Sequence, residues 1–409
     1  MSARMKKFNF LFILTSIVCI YSSIVTTVYA NEDPYYKNNP GCVIDRGNPE
    51  RTGAYNEKLS DHPKVLWEID ARSFHTPICA ENLIITDPLM AFNSMTGKKV
   101  WDASTNAGIY FEPIYYKGVI FWDKLFYKDR ERKKSVNLIK YDAKTGKLFY
   151  QKSFGSDGPV GPFIYNDIAY ISVYGAGLIA YDLKTDKILW KNNAIPSLEG
   201  ISTDGNILFF TLSNGGVYAM DIRNGQLIWN DNTYFEMGYV TVGKENVYVR
   251  FRPFLDFKEG ITAHNKKTGK IIWQRYFDHV RGFTKSGYFS SLTLHKDKLF
   301  FSNIKLEAPF APFTDSGRYS PAGGAVYALD AQTGRLIWHR EIAPFTAPIS
   351  VNNTLCIGGQ NILYALDEET GKERWHLNVT DDVINFVPYQ NKLFLKLGML
   401  KKEKLVAID

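Results

Sequence analysis

The sequence predicts an all-β fold, an eight-bladed β-propeller of four-stranded antiparallel blades with the last blade closed by N- and C-terminal strands. Three observations carry the prediction. Asp330 stands eight residues before Trp338, and the same step joins Asn93 to Trp101, Asp182 to Trp190, Asp221 to Trp229, Asn265 to Trp273, Asp367 to Trp375 and, with tyrosine in place of tryptophan, Asp142 to Tyr150. Each copy follows the same order of apolar runs and tight turns, and no window offers a 3.6-residue apolar stripe of helical length. An eighth copy is cut in two: Leu405–Asp409 stops where a Thr-Gly-Lys turn would begin, and Val65–Asp70 holds a tryptophan strand with nothing before it. The tail supplies what the head lacks, and a ring closed in this way hides the strand edges that an open array would expose.

Residues 1–30 read as a removable export signal, with Arg4, Lys6 and Lys7 ahead of an apolar run from about Phe8 to Val25 and a Val28-Tyr29-Ala30 ending. A membrane anchor is the rival reading, but Thr15, Ser16, Ser22 and Ser23 interrupt the run and it is short for a span. Cys19 follows Ile17-Val18, which are not the small residues that lipoprotein cleavage needs. Loss of the leader takes away three basic residues and no acidic one, leaving +4 of the formal +7, too little to imply nucleic acid. About 380 residues then remain without a long apolar run, so the mature chain is expected to have no transmembrane segment and to act as a monomer. Cys42, Cys79 and Cys356 allow one disulfide at most; Cys79 and Cys356 lie in strand-like segments and read as buried apolar residues, and whether Cys42 pairs with either is open.

Residues 31–63 form a polar lead-in, whose Arg46-Gly47-Asn48-Pro49-Glu50-Arg51-Thr52-Gly53 is suited to bend an extended segment across a surface. Residues 64–409 are the propeller. In each repeat a Pro- or Gly-marked segment such as Gly161–Tyr165 comes first, then a turn such as Asn166-Asp167 and an aromatic or β-branched strand such as Ile168–Val173. The third strand ends in the Val-Tyr-Ala-Leu-Asp element, and the fourth carries the tryptophan after a turn in which glycine supplies positive φ. The innermost strands are expected to start near Thr76, Glu112, Gly158, Glu199, Gly238, Tyr288, Ala347 and Asp382. Trp67, Trp101, Tyr150, Trp190, Trp229, Trp273, Trp338 and Trp375 read as structural rings that pack against the neighbouring blade, burying about 150–250 Å² each.

The pattern Ala-x-Asp-x-x-Thr-Gly-x-x-x-Trp, as in Ala328–Trp338, resembles the tryptophan-docking repeat of the PQQ-like propeller family, over about residues 45–409. That family includes quinoprotein alcohol dehydrogenases, the propeller lipoprotein of the outer-membrane β-barrel assembly machinery, and exported proteins to which no role is assigned. The lead-in motif is similar to the opening of the last group. The resemblance implies the fold and leaves activity to grafted loops. The dehydrogenases are longer and carry an adjacent cysteine pair near the cofactor, which this chain lacks, so PQQ and calcium are not expected.

Blade connectivity sorts the loops. First-to-second and third-to-fourth hairpins share one face, trimmed here to short turns, and every sizeable addition falls on the other: Asp123–Ser135, Arg252–Glu259, Asp278–Gly287 and Asn303–Gly324. Within them Arg130, Arg132 and Lys133 offer basic contacts, and Phe310, Phe313, Arg318 and Tyr319 offer an aromatic, proline-stiffened surface for a partner. At the same mouth Glu112, Glu199, Glu236 and Asp382 are candidates for holding a hard cation, with His75 nearby. No Gly-x-Ser-x-Gly, His-Glu-x-x-His, phosphate-binding glycine loop or CxxC spacing is present, so no catalytic residue is assigned. The sequence thus points to an exported, periplasmic or extracellular, non-catalytic scaffold that binds a protein or envelope component. An outer-membrane assembly role and a PQQ-dependent oxidoreductase are the alternatives.

Overall fold

The computed structural model describes residues 36, 44–71, 75–104, 109–110, 113–122, 124–125, 136–155, 159–173, 177–195, 198–212, 215–233, 235–252, 259–277, 287–306, 321–398 and 403–409. Short β-branched and aromatic runs separated by Asn, Asp and Gly turns form eight four-stranded antiparallel sheets. Counting from the channel outward, blade one is Ile78–Ala80, Leu83–Thr86, Met90–Asn93 and Lys99–Asp102, and blade two runs from Ile114–Tyr116 to Leu148–Gly155. Blades three, four and five begin at Pro159–Tyr165, Leu198–Thr203 and Phe235–Val242 and end at Lys187–Asn192, Leu227–Asp231 and Ile271–Phe277. Blade seven runs from Ile349–Val351 to Glu373–Asn378.

Blade six departs from the pattern, because its inner strand is broken into Gly287–Phe289 and Thr293–His295, both paired with Lys298–Leu306. Ser290 bridges the gap, its amide donating to the Ser302 carbonyl and its Oγ accepting from the Ser302 amide. Blade eight confirms the closure: Val383–Tyr389, Lys392–Leu397 and the C-terminal Lys404–Ile408 are completed by Val65–Asp70 from the other end of the chain. At the junction the Lys64 amide donates to Asp409 Oδ1 at 2.7 Å and the Asp409 amide to the Lys64 carbonyl.

Every third-to-fourth pairing carries a register shift one residue before the docking ring. Ala328 faces Trp338 but Leu329 faces Leu336, so Ile337 is the extra residue. The same offset makes Leu66, Val100, Phe149, Leu189, Ile228, Ile272 and Arg374 the bulged residues of the other blades. A bulge twists an outer strand and spoils it as a template for pairing with another chain.

The aromatic ring after each bulge crosses to the next blade. Nε1 of Trp67, Trp101, Trp190, Trp229, Trp273 and Trp338 donates to the carbonyls of Ser94, Ala143, Ile222, Lys266, Ala331 and Glu368, at 2.9–3.2 Å. Each acceptor directly follows the repeat's Asp or Asn. The indole lies on the turn glycine of that blade: a Cβ at Gly97, Gly146, Gly225, Gly269, Gly334 or Gly371 would meet the ring at 2.5–2.9 Å. Glycine therefore serves twice, accepting positive φ and leaving a flat seat for the indole. Trp375 packs on the blade-eight core with Leu393, Val406 and Ile408, where the chain ends replace the turn. Between blades two and three both partners change: Asp186 holds the glycine position at φ 61°, and Tyr150 donates to Asp186 Oδ1 at 2.6 Å. Trp122, the tryptophan outside the repeat, is buried in the second strand of blade two.

The lead-in lines the channel. Ala54–Tyr55 adds a parallel strand to the inner edge of blade seven. Upstream, the carbonyls of Pro49, Glu50, Thr52 and Gly53 accept from the amides of Thr203, Val242, Leu294 and Ser350, one from each of blades four to seven. All four amides lie at the short-turn ends of inner strands. Arg46 is buried and spans blades six and seven through the carbonyls of Leu292 and Pro348 and the hydroxyl of Thr293. Arg51 donates to the Ile201 carbonyl and sits 4.3 Å from the ring centre of Tyr239, a cation over an aromatic face. Tyr36 donates to the Ile164 carbonyl and stacks on Tyr165 of blade three.

Candidate functional site

Among the described residues of the face opposite the short turns, a buried polar cluster lies at the seam between blade eight and blade one. His75 sits on the connection entering blade one, and Asp87 on the turn between that blade's second and third strands, before the cis peptide to Pro88. Asp87 is almost fully buried and grips the histidine twice: Oδ1 accepts the His75 amide at 2.9 Å and Oδ2 lies 2.5 Å from Nδ1. Lys396, on the second strand of blade eight, and Glu403, just before its third strand, are also buried. Burial lowers the Lys396 ammonium pKa, opposed by the charges of Glu403 and Asp87. Asn385 of blade eight donates to Thr76 Oγ1 of the blade-one connection.

Of the four acidic residues singled out from sequence, Asp382 is described at this mouth, buried at the start of the blade-eight inner strand, its carbonyl accepting from the Gly398 amide. Glu199 and Glu236 lie in the inner strands of blades four and five, their side chains outside the described part, and Glu112 lies outside the described residues. So do Arg130, Arg132, Lys133, Phe310, Phe313, Arg318 and Tyr319. Among the described residues no group of three or more His, Cys, Asp or Glu is placed to hold a metal ion together. Cys79 is fully buried, as expected, and it is disulfide-bonded, a pairing the sequence left open. Cys356 is the free cysteine among the described residues, and burial pushes its thiol pKa up.

Sequence reasoning reached His75 and Asp382 but missed Asp87, Lys396 and Glu403. Asp87 and Lys396 are 309 positions apart and meet because blade eight is closed across the chain ends. The signal that could have found them is a lysine within an apolar strand, Leu393-Phe394-Leu395-Lys396-Leu397. Chemically the seam is a paired polar mouth: an imidazole oriented by a carboxylate beside a buried ammonium, suited to binding.

Ring, docked indoles and split closing blade define an eight-bladed propeller of the tryptophan-docked, quinoprotein-like class. Within that class the chain belongs to the family described as outer membrane protein assembly factor BamB, which it matches over residues 58–231, 132–375 and 322–409. The structure is similar to BamB from Moraxella catarrhalis, with a TM-score of 0.60 and 14% identity, covering 85% of this chain and 100% of that one. It is also similar to the quinohemoprotein alcohol dehydrogenase ADHIIG from Pseudomonas putida HK5, with a TM-score of 0.67 and 11% identity, covering 93% of this chain and 82% of that one. Such identities show the fold alone. A stretch of 117 residues is 33% identical to the tetrathionate hydrolase of Acidithiobacillus ferrooxidans, spanning 25% of this chain and 23% of that protein, so it covers under a quarter of that relative's length. Among the described residues no helix is long and apolar enough to cross a membrane.

Proposed function

We propose that this chain is an exported, non-catalytic propeller scaffold, working as a monomer in the periplasm or outside the cell, that binds a protein or envelope component through its insertion-bearing face. The observation that supports this most is the division of labour between the two mouths. The short-turn mouth is engaged by the chain's own lead-in across blades four to seven, whereas the polar seam lies at the opposite one, the face to which the order of strands in the sequence assigns the added segments. Loops that cost ordering entropy on one face only are best explained by a partner there.

The test places a photo-crosslinking residue at Phe313 or Tyr319 on the insertion-bearing face and at Gln332 or Lys98 on the short-turn face. Crosslinks to envelope components are expected from the first pair and not from the second; the reverse pattern rejects the reading. With the crosslinking residue moved to Arg132, deleting Pro309–Pro321 should abolish the crosslinked species while leaving the thermal transition in place. The family match supports a narrower reading, a part in outer-membrane protein assembly. Under that reading, loss of the protein lowers the level of β-barrel outer-membrane proteins while lipoproteins in the same membrane are unchanged.

A quinone-dependent activity fits the residues poorly. The chain has no adjacent cysteine pair, and its two described cysteines are a disulfide partner and a buried thiol. Incubation with PQQ and calcium is expected to produce neither cofactor absorbance in the purified protein nor thermal stabilisation. Either signal would restore the oxidoreductase reading.

A further inference from the structure

The N-terminal segment is tied to the ring more tightly than a packing role requires. Between Arg46 and Tyr55 it bonds four successive blades by their inner edges, and the side chains of two buried arginines bridge further carbonyls of the same blades. Glu57 and Lys58 then reach Asn391, on the first turn of blade eight. A guanidinium is hard to remove from water, and burying two of them among carbonyls is tolerable only while those hydrogen bonds persist. The segment is therefore held as a unit or released as a unit.

Blade one receives a different kind of tie. Cys79 lies on its innermost strand, shielded from solvent and disulfide-bonded, and Cys356 is free. Within the chain this leaves Cys19, inside the leader, and Cys42, two residues before Ile44 where the channel-lining segment starts. We infer that the lead-in is an internal clasp of the propeller, locked to blade one by a Cys42–Cys79 disulfide and to blades four to seven by Arg46, Arg51 and the carbonyls between them. This clasp holds the ring from inside the channel and is separate from the split blade that closes it at the rim. Its closure joins two thiols in one S–S bond, passing two electrons and two protons to a disulfide oxidant, which leaves as a dithiol. The fold thereby completes its short-turn mouth only in an oxidising compartment. Once formed, the bond is beyond the reach of external thiols until the segment lifts, and the segment cannot lift far while the bond stands.

Trypsin reads the state of the clasp, because Arg46 and Arg51 are cleavage sites buried by docking. In mature chain 31–409 made under oxidising conditions, cleavage after these arginines is expected to be slow. In Cys42→Ser it should be at least about ten-fold faster, with tryptophan emission and the resistance of the blades unchanged. Cys79→Ser should behave alike. Equal protection in the variants and the parent would overturn the clasp, as would a disulfide-linked dimer on a non-reducing gel. If both variants fail to fold, peptide mapping of the parent decides: a Cys42–Cys79 peptide supports the inference, and any other partner or a free Cys79 thiol overturns it.

Discussion

At the scale of single residues, the ring is held by one contact repeated with small changes, an indole seated on the next blade's glycine. Gly334 is a clear case: it has φ 69°, and a Cβ there would meet the Trp273 ring at 2.7 Å. Gly334→Ala thus combines overpacking with a disfavoured backbone, and should destabilise by about 2–4 kcal/mol in denaturant unfolding. The same alanine at Gly238, where nothing lies within 4 Å of the added carbon, carries the backbone penalty without the clash and should cost less. The exception between blades two and three tests the logic in reverse. Tyr150, Tyr181, Lys152 and Asp186 form a hydrogen-bonded cluster where an indole and a glycine stand elsewhere. Tyr150→Trp alone drives an indole onto the Asp186 side chain, and Asp186→Gly alone removes the acceptor that the two tyrosine hydroxyls share. The double substitution restores the common pair, so it should melt above either single variant; strict additivity would show that the two positions are not coupled.

At the scale of the element, the third-to-fourth hairpin is an acid-sensitive unit. The Asp or Asn side chain of these turns accepts the amide two positions on, three positions on or both, as Asp330 Oδ1 does from Gln332 and Thr333 and Asp221 Oδ1 does from Arg223 alone. These bonds favour the carboxylate. The Thr333 hydroxyl and amide hold Asp330 below its ordinary value, Arg374 chiefly brings Asp367 down to about 2, and Tyr150 and Tyr181 bring Asp186 to about 2. A depressed folded pKa contributes stability that is present above the unfolded value near 4 and is lost as pH falls towards 2. The melting temperature should therefore drop steeply between about pH 4 and pH 2, and Asp367→Asn should flatten part of that slope; an unchanged acid limb would rule out these turns as its source. Much of this element was legible in sequence, since Asp, Thr-Gly and Trp each have a local reason to be where they are. The bulges were not, because Leu-Ile-Trp breaks the two-residue alternation that marks a strand, and only the pairing partner reveals which residue is extra. The lead-in and the seam were illegible for a related reason. Pro49, Glu50, Thr52 and Gly53 bond through their carbonyls, which any sequence possesses, and Asp87 meets Lys396 only once the ring is closed.

At the scale of the whole molecule, closure rests on two independent devices, and their different locations make them separable. The outer device is Lys404–Ile408, which pairs with Lys392–Leu397 on one side and Val65–Asp70 on the other. Its Leu405, Val406, Ala407 and Ile408 are all buried, between the cores that blade eight shares with blades seven and one. Removing Leu405–Asp409 withdraws the middle of a sheet: Val65–Asp70 loses its neighbour in the ladder, and buried Leu393 and Phe394 are opened to water. At about 1.5–3 kcal/mol for each large apolar side chain, the loss is comparable with the net stability of an ordinary domain. The inner device, the lead-in, still ties the chain's start to blades four to seven and cannot replace the missing strand, because its bonds lie at the channel edge and not in the outer half of blade eight. The truncated protein should therefore unfold at least about 10 °C lower, with blade-eight amides exchanging first and those of blades four to seven last. An unchanged transition would mean that the rim is not held by this strand, and a loss of protection spread evenly over all eight blades would mean that the inner clasp does not act on its own.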